Sequence, residues 1–92
     1  MALVTCEVTE GPRPGFKTVG VRSVQGHTEY LAIEERFLDR QNGAYLLPVR
    51  VVGRDSKQGL TLIQLPSEAD SGADRVWVRT DQVTLKPDEV PA

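Results

Sequence analysis

The sequence predicts an all-β fold, a small barrel or partly open sandwich of five or six strands with a short helical turn. Three observations carry that expectation. Apolar and polar residues alternate strictly over Arg75 to Thr80 and over residues 3 to 9. The periodic runs are short and recur at spacings of roughly 8 to 15 residues. Glycine, proline and asparagine separate them, where an α/β chain would place amphipathic helices.

Residues 3 to 9, LVTCEVT, put Val4, Cys6 and Val8 on one side and Thr5, Glu7 and Thr9 on the other, the pattern of one half-buried strand. Gly11-Pro12-Arg13-Pro14-Gly15 is a loop, because proline lacks a ladder donor and glycine admits positive φ. Phe16 to Val24 is a second strand with Val19 and Val21 inward, and Gly20 within it suggests a bulge or bend. Gln25-Gly26 fits a two-residue turn into His27.

The stretch Thr28 to Arg40 supports two structures. As a helix it has a cap in Thr28 and several strong formers, but Glu34 then falls within the face of Tyr30, Ile33, Phe37 and Leu38. As a strand through about Glu34, followed by a helical turn at Arg36 to Arg40, it places Leu31 and Ile33 on one side, and this version is favoured. Asn42-Gly43 is the strongest hairpin signal in the chain, since both residues tolerate the φ angles of a type I′ turn.

Tyr45 to Val52 is the next strand, apolar on both faces, with Pro48 marking a bend at an edge or bulge. Asp55 to Gly59 turns into Leu60 to Leu65. Pro66 to Asp74 is a polar, acidic loop; Arg75 to Thr80 points Val76 and Val78 inward; Thr80-Asp81-Gln82 is a single helical turn before Val83 and Leu85. Residues 86–92, KPDEVPA, have nothing to bury and read as a frayed tail on a single domain spanning 1–85.

The run VRVVGRD, LTLIQLP, RVWV, TDQ and VTL resembles the distal hairpin, 3₁₀ turn and closing strand of SH3-like barrels over about Leu47 to Leu85. The resemblance is one of fold. It implies an SH3-like barrel but no ligand, because the aromatic-rich first loop and paired tryptophans of peptide-binding SH3 domains are missing, and fold alone assigns no function.

Composition narrows the function classes. The chain has 92 residues, 39% hydrophobic and 26% charged, an ordinary globular balance with room for one core. Its net charge of -2 removes the long-range field on which nonspecific nucleic-acid binders depend. A single cysteine allows no internal disulfide, and no signal-peptide pattern or long apolar run is visible, so the expected location is the cytoplasm, with no membrane contact.

The chemistry-bearing residues argue against catalysis. His27 is the only histidine and sits beside a turn with no orienting acid; Cys6 alternates inward as a small apolar residue. Glu34 and Glu35 are neighbours that would point to opposite faces of a strand. Zinc would need more Cys and His ligands, Glu68, Asp70 and Asp74 lack calcium-loop spacing, and Gly11 and Gly15 do not open a phosphate-cradling helix, so no cofactor is expected.

One constellation points to binding. With Val76 and Val78 inward, Arg75, Trp77 and Arg79 form a guanidinium, indole, guanidinium row, and Arg50 and Arg54 on a nearby strand extend that face. Eight arginines against three lysines favour planar pairing or stacking over point charge. A competing reading packs Trp77 against Pro66 or Pro14 and pairs the arginines with Asp55, Asp74 or Asp81. Tyr30, Phe37 and Tyr45 read as core or rim aromatics. The expected function is a noncatalytic interaction or accessory module with a protein partner or a second copy. The alternative is a nucleic-acid-associated barrel using the arginine face.

Overall fold

The computed structural model describes residues 2–85, so the expected frayed tail lies outside the described residues. Among them nine strands form two antiparallel sheets, joined by turns and two 3₁₀ turns. The strands are β1 (Ala2–Thr5), β2 (Glu7–Glu10), β3 (Phe16–Arg22), β4 (Thr28–Glu34), β5 (Asp39–Gln41), β6 (Ala44–Asp55), β7 (Leu60–Gln64), β8 (Arg75–Arg79) and β9 (Val83–Leu85). The larger sheet has the order β8-β7-β6-β1-β9, with β5 also paired to β6; the smaller is β2-β3-β4. All-β architecture holds, but there are more strands than the five or six expected, and they lie in two sheets without closing into a barrel.

The alternation over residues 3 to 9 conceals a change of sheet. Thr5 is the last residue paired with β6, Glu7 the first paired with β3, and Cys6 sits unpaired between them. The run is therefore two strands. Leu3, which alternation puts on the Thr5 side, is 1% exposed, with Pro48 and Thr84 as its cross-strand neighbours.

Gly20 makes neither bulge nor bend; it pairs in regular register with Glu7 and Tyr30. Its missing side chain is filled by its neighbours. A Cβ there would stand 2.9 Å from Thr28 Cγ2 and 3.1 Å from the Tyr30 ring. The second strand stops at Arg22, two residues early, and the expected two-residue turn is a loop over Ser23–His27, closed by the Ser23 amide donating to the His27 carbonyl (2.7 Å) and the Gly26 amide to the Ser23 carbonyl (3.0 Å).

Thr28–Glu34 is a strand, with Leu31 and Ile33 buried. The 3₁₀ turn that follows covers Glu35–Phe37, one residue earlier than expected at its start, and the chain is extended again from Asp39. Asn42 (φ 51) and Gly43 (φ 82) make the type I′ turn between β5 and β6.

β6 organises the larger sheet. On one edge it pairs with β5 as far as Leu46 and with β7 from Arg50, and Pro48 falls between the two, where no ladder donor is required. Between Val51 and Gly53 its register with β7 shifts by one residue, making Val52 a β-bulge.

The core lies between the sheets. Val19, Val21 and Leu31 from the smaller one meet Val4, Leu47, Ile63 and Val78 from the larger, each at most 1% exposed. Burying a side chain of this size contributes about 1.5–3 kcal/mol. The 66–74 loop is polar but does not hang free: Ala69 is 5% exposed, the Leu65 amide donates to the Asp74 carbonyl, and the Ser71 hydroxyl to Glu29. No helix among the described residues is long and apolar enough to cross a membrane.

Candidate interaction surface

β8 is the outer strand of the larger sheet, and its sequence RVWVR alternates exposed and buried residues without interruption. Val76 and Val78 enter the core; Arg75, Trp77 and Arg79 are exposed. Trp77 keeps 38% of its surface in solvent, and its carbonyl accepts a hydrogen bond from the Val24 amide at 2.8 Å, which fixes the β8 edge against the β3–β4 loop.

Register decides which expected residues share the tryptophan face. Gln64 pairs with both Arg50 and Arg75, so these three form one row across β6, β7 and β8. Leu62 pairs with Trp77 and with Gly53 in the next row, and Leu60 with Arg79 and Asp55 in the third. Val52, 40% exposed, belongs to the bulge opposite Leu62. An apolar strip of Val52, Leu62 and Trp77 thus lies between two rows carrying arginines.

Arg54 is not brought to this face. It pairs with Thr61, which pairs with Val78, and both are buried residues of the opposite face. The extra residue at Val52 reverses the alternation between Arg50 and Arg54, so the two arginines fall on opposite sides of the ribbon. Nothing in the local sequence marks that bulge apart from Gly53, where an added Cβ would stand in ordinary contact with Leu62 at 3.4 Å.

The arginines are also unequal. Arg79 is held at its Nε by Asp81 Oδ1 at 3.2 Å, and the adjacent 3₁₀ turn, Thr80–Gln82, is braced by Gln82, which accepts from the Arg79 amide and donates to the Arg22 carbonyl. Asp55 is occupied by its own turn, accepting from the Gln58 amide and side chain at 3.2 Å each. Among the described residues neither Arg50 nor Arg75 has a carboxylate in ion-pairing reach. Two guanidiniums with no carboxylate partner among the described residues therefore flank the apolar strip on its Gln64 side.

Residues weighed for catalysis are placed apart. His27 is exposed in the β3–β4 loop. Glu34 accepts from Arg36 Nε at 2.7 Å, whereas Glu35 accepts from the Tyr45 hydroxyl at 2.9 Å. Among the described residues no three His, Cys, Asp or Glu side chains are grouped to hold a metal ion. Tyr30 and Phe37 are more exposed than core residues, at 46% and 57%.

Cys6, at the crossing between sheets, donates from Sγ to the Tyr45 carbonyl at 3.6 Å, and burial pushes its thiol up to about 11 from 9.0. The folded state thus holds the proton more tightly than the unfolded chain. That contribution to stability is complete below pH 9.0 and is lost as pH rises toward 11. At pH 8 the native thiol is expected to react with a disulfide-exchange reagent about tenfold or more slowly than the urea-unfolded chain, since only the thiolate attacks; equal rates would contradict the burial. No protein-family model, curated protein or solved structure matches the chain.

Proposed function

We propose that the chain is a noncatalytic interaction module of SH3-like type, whose contact surface is the outer face of β6, β7 and β8 around Trp77. The SH3-like reading is supported by the strand order β8-β7-β6-β1-β9 and by the 3₁₀ turn that precedes β9, which closes onto β1. The smaller sheet is then an addition between the first strand and the meander. The contact reading rests on one observation: a tryptophan 38% exposed on an outer strand, in register with Leu62 and beside Arg50 and Arg75, which have no ion-pair partner among the described residues. An indole in water forfeits apolar burial that a partner restores, and Trp and Arg dominate interface hot spots.

The charge pattern favours a protein partner with an acidic rim around an apolar centre over a second copy of this face, which would oppose arginine to arginine. The nucleic-acid alternative draws less support, because Arg54 leaves the face and Arg79 is compensated by Asp81. Its signature would be affinity falling steeply with salt.

Trp77→Ala tests the reading. The variant is expected to keep its fold while losing about 2–4 kcal/mol of binding free energy, roughly thirtyfold or more in affinity, as at other hot spots. The measurement compares proteins retained on immobilised wild-type and variant chains, with circular dichroism of both. A folded Trp77→Ala chain that keeps every partner overturns the proposal.

A further inference from the structure

A groove of about 840 Å³ runs along the opposite edge of the smaller sheet. One wall is β4 with the 3₁₀ turn Glu35–Phe37; the other is β6, β7 and the start of the 66–74 loop. Beneath it lie the buried core residues Ile33, Leu47, Val49 and Leu65, and the apolar surface it leaves open comes from Pro48, Pro66 and Phe37, the last 57% exposed. Arg50 and Gln64 also line it, so it adjoins the Trp77 face without including Trp77.

The β4 wall is an open strand edge. The Tyr30 carbonyl accepts from the Asp70 amide at 2.7 Å and therefore points away from β3. In an antiparallel strand the backbone groups facing one edge recur at every second residue, so the N–H and C=O of Ala32 and Glu34 face that same outer edge. The Glu35 amide, of the other parity, donates to the Gly15 carbonyl at 2.9 Å on the β3 side, in keeping with this assignment. The 66–74 loop thus covers the edge at Tyr30 and leaves Ala32 uncovered: among the described residues the Ala32 backbone has no partner on that side. Both Ala32 and Glu34 line the groove.

Charge selects the occupant. Glu34 is already taken by Arg36 at 2.7 Å, whereas Arg50 on the facing wall has no carboxylate in reach among the described residues. An open edge is a template for a further strand, and natural sheets cover, charge or shorten such edges. Here the edge borders an apolar floor, with a methyl side chain at Ala32 that lets another backbone come close.

We propose that the groove receives one extended segment of a partner polypeptide, which adds as a strand to β4 at Ala32–Glu34, lays an apolar side chain on the floor between Pro48, Pro66 and Phe37 and places a carboxylate on Arg50. Main-chain hydrogen bonds supply the affinity, and the floor and Arg50 supply the selectivity. The proposal deepens the interaction-module reading and rests on it, but on a different surface.

The test is selection of a phage-displayed random peptide library on the whole chain, followed by affinities of synthetic peptides carrying the consensus. Enriched sequences are expected to place Asp or Glu at alternate positions from an apolar residue. Ala32→Pro removes the outward N–H without touching the β3 ladder and is expected to weaken those peptides about tenfold or more. Arg50→Glu is expected to weaken them by about tenfold or more and to shift repeated selection toward Lys and Arg, which keeps the test decisive should the proline variant fail to fold. Trp77→Ala is expected to retain them within about twofold, so that failure at the groove and failure at the tryptophan face are read separately. Absence of a consensus, or unchanged affinity in folded Ala32→Pro, overturns the proposal. So does movement of the Ala32 and Gln64 amide signals when residues 86–92 are removed with no peptide present, which would assign the groove to the chain's own end.

Discussion

Leu31→Ala is expected to cost about 2–5 kcal/mol of folding free energy, the range for truncating a fully buried leucine when the site relaxes only partly. Leu31 is 1% exposed and stands in the cross-strand row with Val19 and Val8, on the face that the smaller sheet turns toward Val4, Leu47 and Ile63. In a chain this size that loss lowers the thermal midpoint by roughly 8 °C or more. Val52→Ala, at a bulge residue 40% exposed, serves as the control and is expected to change stability by no more than about 0.5 kcal/mol. Equal melting curves for the two variants would mean that the smaller sheet does not pack through Leu31.

Gly11→Ala is expected to cost about 1–3 kcal/mol, for a reason invisible in the loop composition that surrounds it. A Cβ at Gly11 would be driven into the carbonyl of Phe16, and that obstacle is backbone rather than a side chain able to swing away. Stiffening the unfolded chain returns only about 0.4–1 kcal/mol, so the clash decides the sign. Gly15, in the same loop, has positive φ and open space around it, so the two glycines serve different needs. Chemical denaturation separates the outcomes: a Gly11→Ala chain as stable as wild type would show that the β2–β3 hairpin can open at Phe16 without penalty.

The parts of the fold legible in the sequence are those that local physics decides. Asn42-Gly43 announces its turn because few residue pairs accept two positive φ angles, and RVWVR announces its strand because alternation survives wherever one face is buried. Thr28–Glu34 could be read as a strand because Glu34 spoils the apolar face of the competing helix. What escaped depends on partners distant in the chain. Nothing in LVTCEVT shows that Thr5 and Glu7 belong to different sheets, since alternation continues through Cys6 while its neighbours change. Gly20 reads as a bulge or bend in the sequence and is a close approach in the structure, visible only once Tyr30 and Thr28 are beside it.

The candidate surface divides in the same way. Trp77, Arg75 and Arg79 share a face by the arithmetic of one strand, and Arg50 joins them through pairing with Gln64. Arg54 leaves the face because a single extra residue at Val52 inverts the arithmetic, and that extra residue shows only in the register with β7. The groove could not be read at all: its floor and walls come from β4, β6, β7 and two loops, and its chief feature, an uncovered backbone at Ala32, leaves no mark on side-chain pattern.

The place of β1 has a consequence for how the chain is assembled. It is the first of the described strands in chain order, yet its neighbours in the sheet are β6, which begins at Ala44, and β9, which ends at Leu85. As the polypeptide is synthesised, β2, β3 and β4 can pair locally, and so can the meander of β6, β7 and β8, whereas β1 must wait for β6 before its first pairing and for β9 before both of its edges are covered. Pairings this distant pay loop-closure entropy before any contact is gained, which places folding toward the slow, millisecond-to-second end for small domains. The step that completes the sheet is the pairing of β9 with β1, which spans almost the whole length of the described residues.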